Sequence, residues 1–490
     1  MASLRSDELR QRTAGTERAR VARSCARAVP QRAGGGQAIN ALEVARAALE
    51  AAGTDAEAVA HSERSGLARF AGSEVHQPTL IENIVVTLRV VRGKRSGVAT
   101  TNRVDGDGLA ELAERATSAA ESAPPDESFP GLAPAAEPTR VEGYDEDTAG
   151  LGPDEQARRA AAAIDAAGDM PVYGFFTSAA SELAIASSTG LNAEQRMTDA
   201  TALVVAAAEG CSGYAERTAW RVADIDPAAV AREATEKAAR TTDAGELEPG
   251  VYRAVLEPYA FADLLDYFSH DSLGALGLLE KRSYFSGRLG EQIVDDKITI
   301  TDDPLDPHGL PKSFDFEGTP KQRVILVEHG VARGVVWDRT TAAQASNGAT
   351  TTGHAGPVES RDWGPLPYSL SIATGEAESV EELAELVGDG IYITRLHYLG
   401  VVDPREGVVT GMTRDGTFRI RGGKIAEPLV NLRFTVAVPD LLREVYSLTK
   451  KAALVNSQNF YGDRYPYGVL APAIAAARFT ITGVGSKPGI

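Results

Sequence analysis

Cysteine is nearly absent. The 490 residues contain two, Cys25 and Cys211, far apart in the chain. They make no disulfide scaffold, and a reducing, cytoplasmic setting is the plain expectation. No run of about 18 apolar residues occurs, so no transmembrane helix is expected and no membrane partner is implied. Basic residues are in deficit, with 50 Lys plus Arg against 68 Asp plus Glu and a net charge of −18. That balance argues against nucleic acid and anionic membrane surfaces as partners. Histidine is scarce too: His61, His76, His270, His308, His329, His354 and His397 are all there are, and no two stand at metal-ligand spacing. There is no Gly-x-Ser-x-Gly elbow, no P-loop and no GxGxxG after a strand, which removes the usual hydrolase and nucleotide signatures. Cys211, in Glu209-Gly210-Cys211-Ser212-Gly213, reads as a buried thiol rather than a nucleophile.

What is present describes a globular protein. Hydrophobic residues make up 43% and charged residues 24%, and a chain of this length has room for roughly three domains. Residues 1–36 carry eight arginines, much Ala and Ser, and no apolar core of a signal sequence. They read as a disordered Arg/Ala-rich extension that ends at Gly34-Gly35-Gly36.

From there the chain divides in two. Residues 37–245 alternate helical and strand patterns. Helices are predicted over 38–52, with Gly53 as the stop, and over 105–121, 153–168 and 228–240, the last with Asp226 as cap and Pro227 at the first turn. The β-branched run 84–91 turns through Gly93-Lys94 into a second strand. The polar stretch 241–250 marks a boundary. Residues 246–490 are richer in Gly, turns and short strands. Helices are expected over 259–278, 379–387 and 441–449, and strands over 390–402, 431–438 and 475–483. Asp415-Gly416 and Gly422-Gly423 read as hairpin turns, which makes Arg414 and Asp415 turn residues.

Five segments in order carry a family resemblance: Tyr284-Phe285-Ser286-Gly287-Arg288-Leu289-Gly290, Thr352-Gly353-His354-Ala355-Gly356, Ile393-Thr394-Arg395-Leu396, the run from Val409 to Phe418, and Asn431-Leu432-Arg433-Phe434. They resemble the TldD/PmbA (TldE) family of metallopeptidase-related proteins, in its PmbA/TldE-type, actinobacterial-like branch. The resemblance implies an α+β fold, with an N-terminal α/β domain followed by a C-terminal curved, barrel-like β domain with peripheral helices. It also implies a heterodimer, in which a TldD-like subunit with an HExxxH motif holds zinc and hydrolyses unstructured peptides. Aligned back from Phe285-Ser286-Gly287, Asp266 falls at the first His of that motif, Tyr267 at the Glu and Asp271 at the second His. Gln458 falls at the late Cys ligand. A zinc hydrolase of this kind needs neutral imidazoles and a carboxylate base, but the two His positions hold Asp and the base position holds Tyr. The expectation is therefore a chain with no catalytic residues and no cofactor of its own. It would complete a zinc peptidase for unfolded or leader peptides by pairing with a zinc-bearing TldD-like homologue.

Two other readings stay open at this stage. Asp263, Asp266 and His270 lie at i, i+3 and i+7 on one helix face, where they could bind a cation for a self-standing hydrolase, or form the solvated face of a helix that buries Leu264, Leu265 and Phe268. A peptide-binding protein without hydrolysis is the other. For substrate contact the candidates are Gly353 and His354, because flanking glycines let a backbone approach closely.

Overall fold

The computed structural model describes residues 40–456 and 464–489. The extension 1–36, Cys25 and Gln458 lie outside the described residues.

The first sheet is six-stranded and antiparallel, two three-stranded meanders joined where β1 pairs with β4. Its strands are β1 (Ala56–Ala71), β2 (Glu74–Arg92), β3 (Arg95–Thr101), β4 (Val172–Ser187), β5 (Asn192–Ala208) and β6 (Cys211–Ala219), ordered β3-β2-β1-β4-β5-β6. Four helices cover one of its faces: α1 (Ala41–Ala52), α2 (Gly106–Ser122), α4 (Pro153–Ala166) and α5 (Pro227–Ala239), with the single turn α3 (Glu146–Ala149) before α4. Local chemistry sets their ends. Asn40 accepts from Glu43 N at 2.8 Å, and Gly53 closes α1 at φ 60°. Asp226 caps α5 ahead of Pro227. Alternation along the strands decides what each face meets. Val86, Leu88 and Val90 point to Leu109, Leu112 and Ala116 of α2 and to α1. Further along the sheet, Phe176, Ala202 and Val204 meet α4 and α5.

The second sheet has eleven strands: β7 (Gly250–Leu256), β8 (Ile300–Asp302), β9 (Val324–Glu328), β10 (Val331–Ala332), β11 (Leu370–Ile372), β12 (Gly390–Asp403), β13 (Val408–Arg421), β14 (Lys424–Leu429), β15 (Leu432–Ala437), β16 (Val445–Val455) and β17 (Val469–Val484). β17 pairs with both β15 and β7, so the path β7-β12-β13-β15-β17 returns on itself as a ring. The buried helix α6 (Pro258–Ser272) packs against β12, β17, β16, β13 and β7 of this curved sheet. Short helices α7 (Ala275–Leu279), α8 (Arg339–Gln344), α9 (Val380–Val387) and α10 (Val438–Leu441) lie around it.

The uncovered face of the first sheet docks onto the second unit. Leu183, Ile185, Ala193 and Met197 pack against Phe314 and Tyr465. At the same junction, Lys237 of α5 reaches Glu257, next to α6, at 2.6 Å.

Two expectations fail here. The segment 441–449 is not helical: α10 stops at Leu441, and β16 follows, bonded to β17. Asp415-Gly416 is not a hairpin turn either. β13 runs through it, and the pair forms a bulge against β12, with φ of 54° and 131°.

Candidate functional site

α6 carries the positions where the sequence places a degenerate metal motif. The helix has almost no wet face. Asp263 and Asp266 are buried together with Phe261, Leu264, Leu265 and Phe268, so the solvated face expected for Asp263, Asp266 and His270 is not what forms. Among the described residues, neither carboxylate oxygen of Asp266 has a hydrogen-bond partner. Burial pushes its pKa up to about 6, with the neighbouring His270 pulling the other way. His270 Nδ1 donates to the Asp266 carbonyl at 2.8 Å, and its ring meets Tyr267 and Trp363 edge-on. Asp271 is turned to Arg282 in an ion pair. Among the described residues, no group of three or more His, Cys, Asp or Glu side chains is placed to hold a metal ion. The residues described at these positions are therefore a poor match to the three-ligand zinc centre of a hydrolase.

Beside α6 stands a buried polar cluster from four elements. Arg395 of β12 donates to Asp415 of β13 at 2.7 Å, and its guanidinium lies 4.2 Å from the Tyr214 ring centroid on β6. The Asp263 carboxylate also acts on Arg395. Tyr214 donates its hydroxyl to Glu216, whose other oxygen accepts from Asn456 N at 2.8 Å. Burial holds Glu216 above the usual carboxylate range. The cluster is thus a mutually satisfied set of charges, held on a guanidinium.

His354 and Gly353 sit elsewhere. His354 is wholly buried, with Nε2 2.6 Å from Asp302 Oδ2 and Nδ1 2.9 Å from Thr352 Oγ1. Burial and the nearby Lys321 charge lower its pKa, so the imidazole is neutral near pH 7 and donates through Nε2–H. The close backbone approach at Gly353 is made by the chain itself. At φ 76° an added Cβ would stand 2.5 Å from Pro320 O. The residues that follow, Ala355–Val358, Ser360 and Arg361, do reach a cavity.

That cavity, of about 290 Å³, lies between the two sheets. Its floor is the face of the first sheet opposite α1 and α2. Glu57, Val59 and His61 of β1 and Val85, Thr87 and Arg89 of β2 alternate with the residues that meet those helices. Register makes Glu57 and Arg89 cross-strand neighbours. The roof comes from the second unit, through Phe316, Glu317, Asp338 and the segment 355–361. Arg89 Nη1 is 3.8 Å from Glu57 and 3.9 Å from Glu317, outside hydrogen-bond reach of both. Burial raises the Glu57 pKa; burial and then the Asp315 charge raise that of Glu317.

Sequence reasoning did not single out Glu57, Arg89, Glu317 or Arg361. One signal was available: Arg89 is the charged residue in the apolar run 84–91, and period-2 counting puts it on the face opposite Val86, Leu88 and Val90.

Comparison with known proteins gives three family-model matches in chain order. PmbA/TldA metallopeptidase domain 1 matches residues 56–120, the central domain 143–241 and the C-terminal domain 249–483. A metalloprotease of Methanothermobacter thermautotrophicus is 30% identical over 224 residues, 44% of this chain and 46% of that protein. A metalloprotease TldD homolog of Haemophilus influenzae is 26% identical over 210 residues, 42% of each. The chain thus spans less than half the length of these curated relatives. The solved structure of TldE from Thermococcus kodakarensis superposes with a TM-score of 0.79 at 18% identity, over 90% of this chain and 99% of that one. Among the described residues no helix is long and apolar enough to cross a membrane.

Proposed function

Because the chain belongs to the PmbA/TldD metallopeptidase family, we propose that it is a subunit without a metal centre of its own, pairing with a TldD-like HExxxH homologue to form a peptidase. The zinc and the catalytic groups belong to that partner. The substrates are unfolded or leader peptides, and the setting is cytoplasmic. The observation that carries this reading is the state of α6. Where the family motif asks for ligands and a base, Asp266 is buried and, among the described residues, without a hydrogen-bond partner, Tyr267 meets His270 edge-on, and Asp271 is committed to Arg282. These three supply no imidazole, and the one unpartnered carboxylate among them, Asp266, is enclosed in the apolar packing of α6. The closed ring of strands around α6 supplies a rigid frame on which a partner can complete a chamber.

The test is to purify the chain alone and with the HExxxH homologue. Elemental analysis should find zinc only in the homologue. Size-exclusion chromatography with mass detection should show a mixed complex, and an unfolded peptide should be cut by the pair alone. Stoichiometric zinc in the single chain, together with peptide hydrolysis by it, would refute the proposal.

A further inference from the structure

We propose that the cavity between the two sheets binds a small zwitterion: an α-amino acid or dipeptide with an apolar side chain. The inference deepens the proposed function and rests on it for the source of the ligand, since peptide hydrolysis releases such molecules. The binding surface itself belongs to this chain.

Size comes first. A volume of about 290 Å³ sits at the small end of ligand pockets, where a metabolite-sized molecule is enclosed and a folded partner is not. The wall is mixed. Val59, Val85, Val98, Phe129 and Phe316 supply an apolar surface, which suits an aliphatic or aromatic side chain.

The charges come in both signs, and their hydrogen bonds are unspent. Arg89 Nε is buried with no partner among the described residues, and its Nη1 stands short of bonding distance to either carboxylate. Arg361 lines the same cavity, and among the described residues no carboxylate bonds it. The two guanidiniums are close enough for Arg89 to depress the Arg361 pKa after burial has done so. Two like charges that line one cavity are relieved by an anion bound there, and a carboxylate accepts from guanidinium forks bidentately. Glu57 is the counterpart. It is cross-strand from Arg89 and lines the cavity, with Arg89 at 3.8 Å as its ion-pair partner. An ammonium bonded to Glu57 would answer that charge.

The other carboxyls do not compete on equal terms. Asp338 Oδ1 is occupied as the cap of α8, 2.7 Å from Thr341 N. Glu317 accepts from Arg339 N, and the Asp315 charge adds to the burial that raises its pKa, whereas at Glu57 burial is opposed by Arg89, Arg339 and Arg361. A purely anionic ligand such as phosphate would face Glu57, and a purely cationic one would face both guanidiniums. A zwitterion answers both.

The experiment is calorimetric titration of the full chain with leucyl-leucine, leucine, N-acetyl-leucine, leucinamide and inorganic phosphate. Saturable binding of leucyl-leucine or leucine is expected, weakened about 10-fold or more by either blocking group, a step of about 1.4 kcal/mol. Arg361→Gln and Glu57→Gln should each weaken binding by about the same factor. Arg361 keeps much of its surface in solvent although burial acts on its guanidinium, so its variant should melt close to wild type, and an unchanged melting temperature separates a loss of binding from unfolding. The proposal is overturned by no saturation up to about 10 mM, by blocked analogues binding as well as the zwitterions, or by unchanged affinity in Arg361→Gln. Failure to assemble with the homologue, with zwitterion binding intact, would count against the proposed function and leave this site standing.

Discussion

His354 Nε2 lies 2.6 Å from Asp302 Oδ2, and neither side chain reaches solvent. Burial alone would raise the Asp302 pKa, but His354, Lys321 and the Ser369 amide hold it below its usual value, so the carboxylate is charged. The pair ties the segment after Thr352 to β8. Removing the imidazole leaves a buried carboxylate without its main donor, which costs about 3 kcal/mol. His354→Ala should therefore lose stability by that order in urea melts, while His354→Gln, which keeps a donor, should recover part of it. A His354→Ala protein as stable as wild type, but impaired in peptide turnover with its partner, would return this residue to the substrate path.

Asp266 should behave in the opposite sense. Its carboxyl has a pKa of about 6 in the folded chain, above the ordinary 3.8. Between those values the folded chain holds a proton that the unfolded chain has released. Its contribution to stability is thus complete below pH 3.8, falls as pH rises to about 6, and stays low above that. Asn at this position is neutral throughout. Asp266→Asn should be more stable than wild type at pH 7.5, by up to about 3 kcal/mol, with the difference vanishing near pH 4. Denaturant midpoints at the two pH values decide it. A variant destabilised at pH 7.5 would mean that the carboxylate has a charged partner or a cation in solution.

Gly416 and Gly422 offer a controlled comparison within β13 and its turn. An added Cβ at Gly416 would stand 2.4 Å from Thr394 Oγ1, at φ 131°; at Gly422, φ 53°, nothing lies within 4 Å. Gly422→Ala should cost about 1 kcal/mol, the strain of the left-handed region alone. Gly416→Ala should cost more, and should also disturb the adjacent Asp415–Arg395 pair. Equal losses in thermal melts would show that the bulge can open without resistance.

The same bulge shows where sequence reasoning stops. Caps and periodicity are local, so α1, α2, α4, α5 and α9 were legible, with Gly53 as the stop of α1 and Asp226-Pro227 as the start of α5; the cap at Asn40 was missed, and α1 begins at Ala41 rather than at 38. Asp-Gly also carries a true local preference for positive φ, but pairing with β12 before and after the dipeptide absorbs it as a bulge, with Asp415 buried. Residues 445–449 followed a helical pattern, yet pairing with Ala475 and Ile474 of β17 made them a strand. Tertiary pairing outweighs weak propensity. The cavity was hidden for a different reason. Glu57 and Arg89 are adjacent only through register, and Glu317 and Arg361 reach them only when the two sheets meet.

Lys312 gives a last prediction, with the reverse pH dependence of Asp266. Its side chain is fully buried, with Nζ donating to Leu310 O at 2.8 Å and to Ser369 Oγ at 3.2 Å. Burial, and then the Lys321 charge, bring its pKa down to about 7, against opposing pulls from Asp302 and Asp199. The unfolded chain keeps this proton up to about 10.5. Between the two values the unfolded state binds more protons, so wild-type stability should rise with pH across that window. Below pH 7 both states are charged and the full cost of the buried ammonium is felt. Lys312→Met removes that cost, along with two hydrogen bonds. The stability of the variant relative to wild type should therefore be highest at pH 6 and decline by about 3 kcal/mol by pH 9. Urea melts of both proteins at pH 6, 7.5 and 9 measure the difference. Parallel curves would mean that Lys312 keeps its charge across the range, with Asp302 and Asp199 sustaining it.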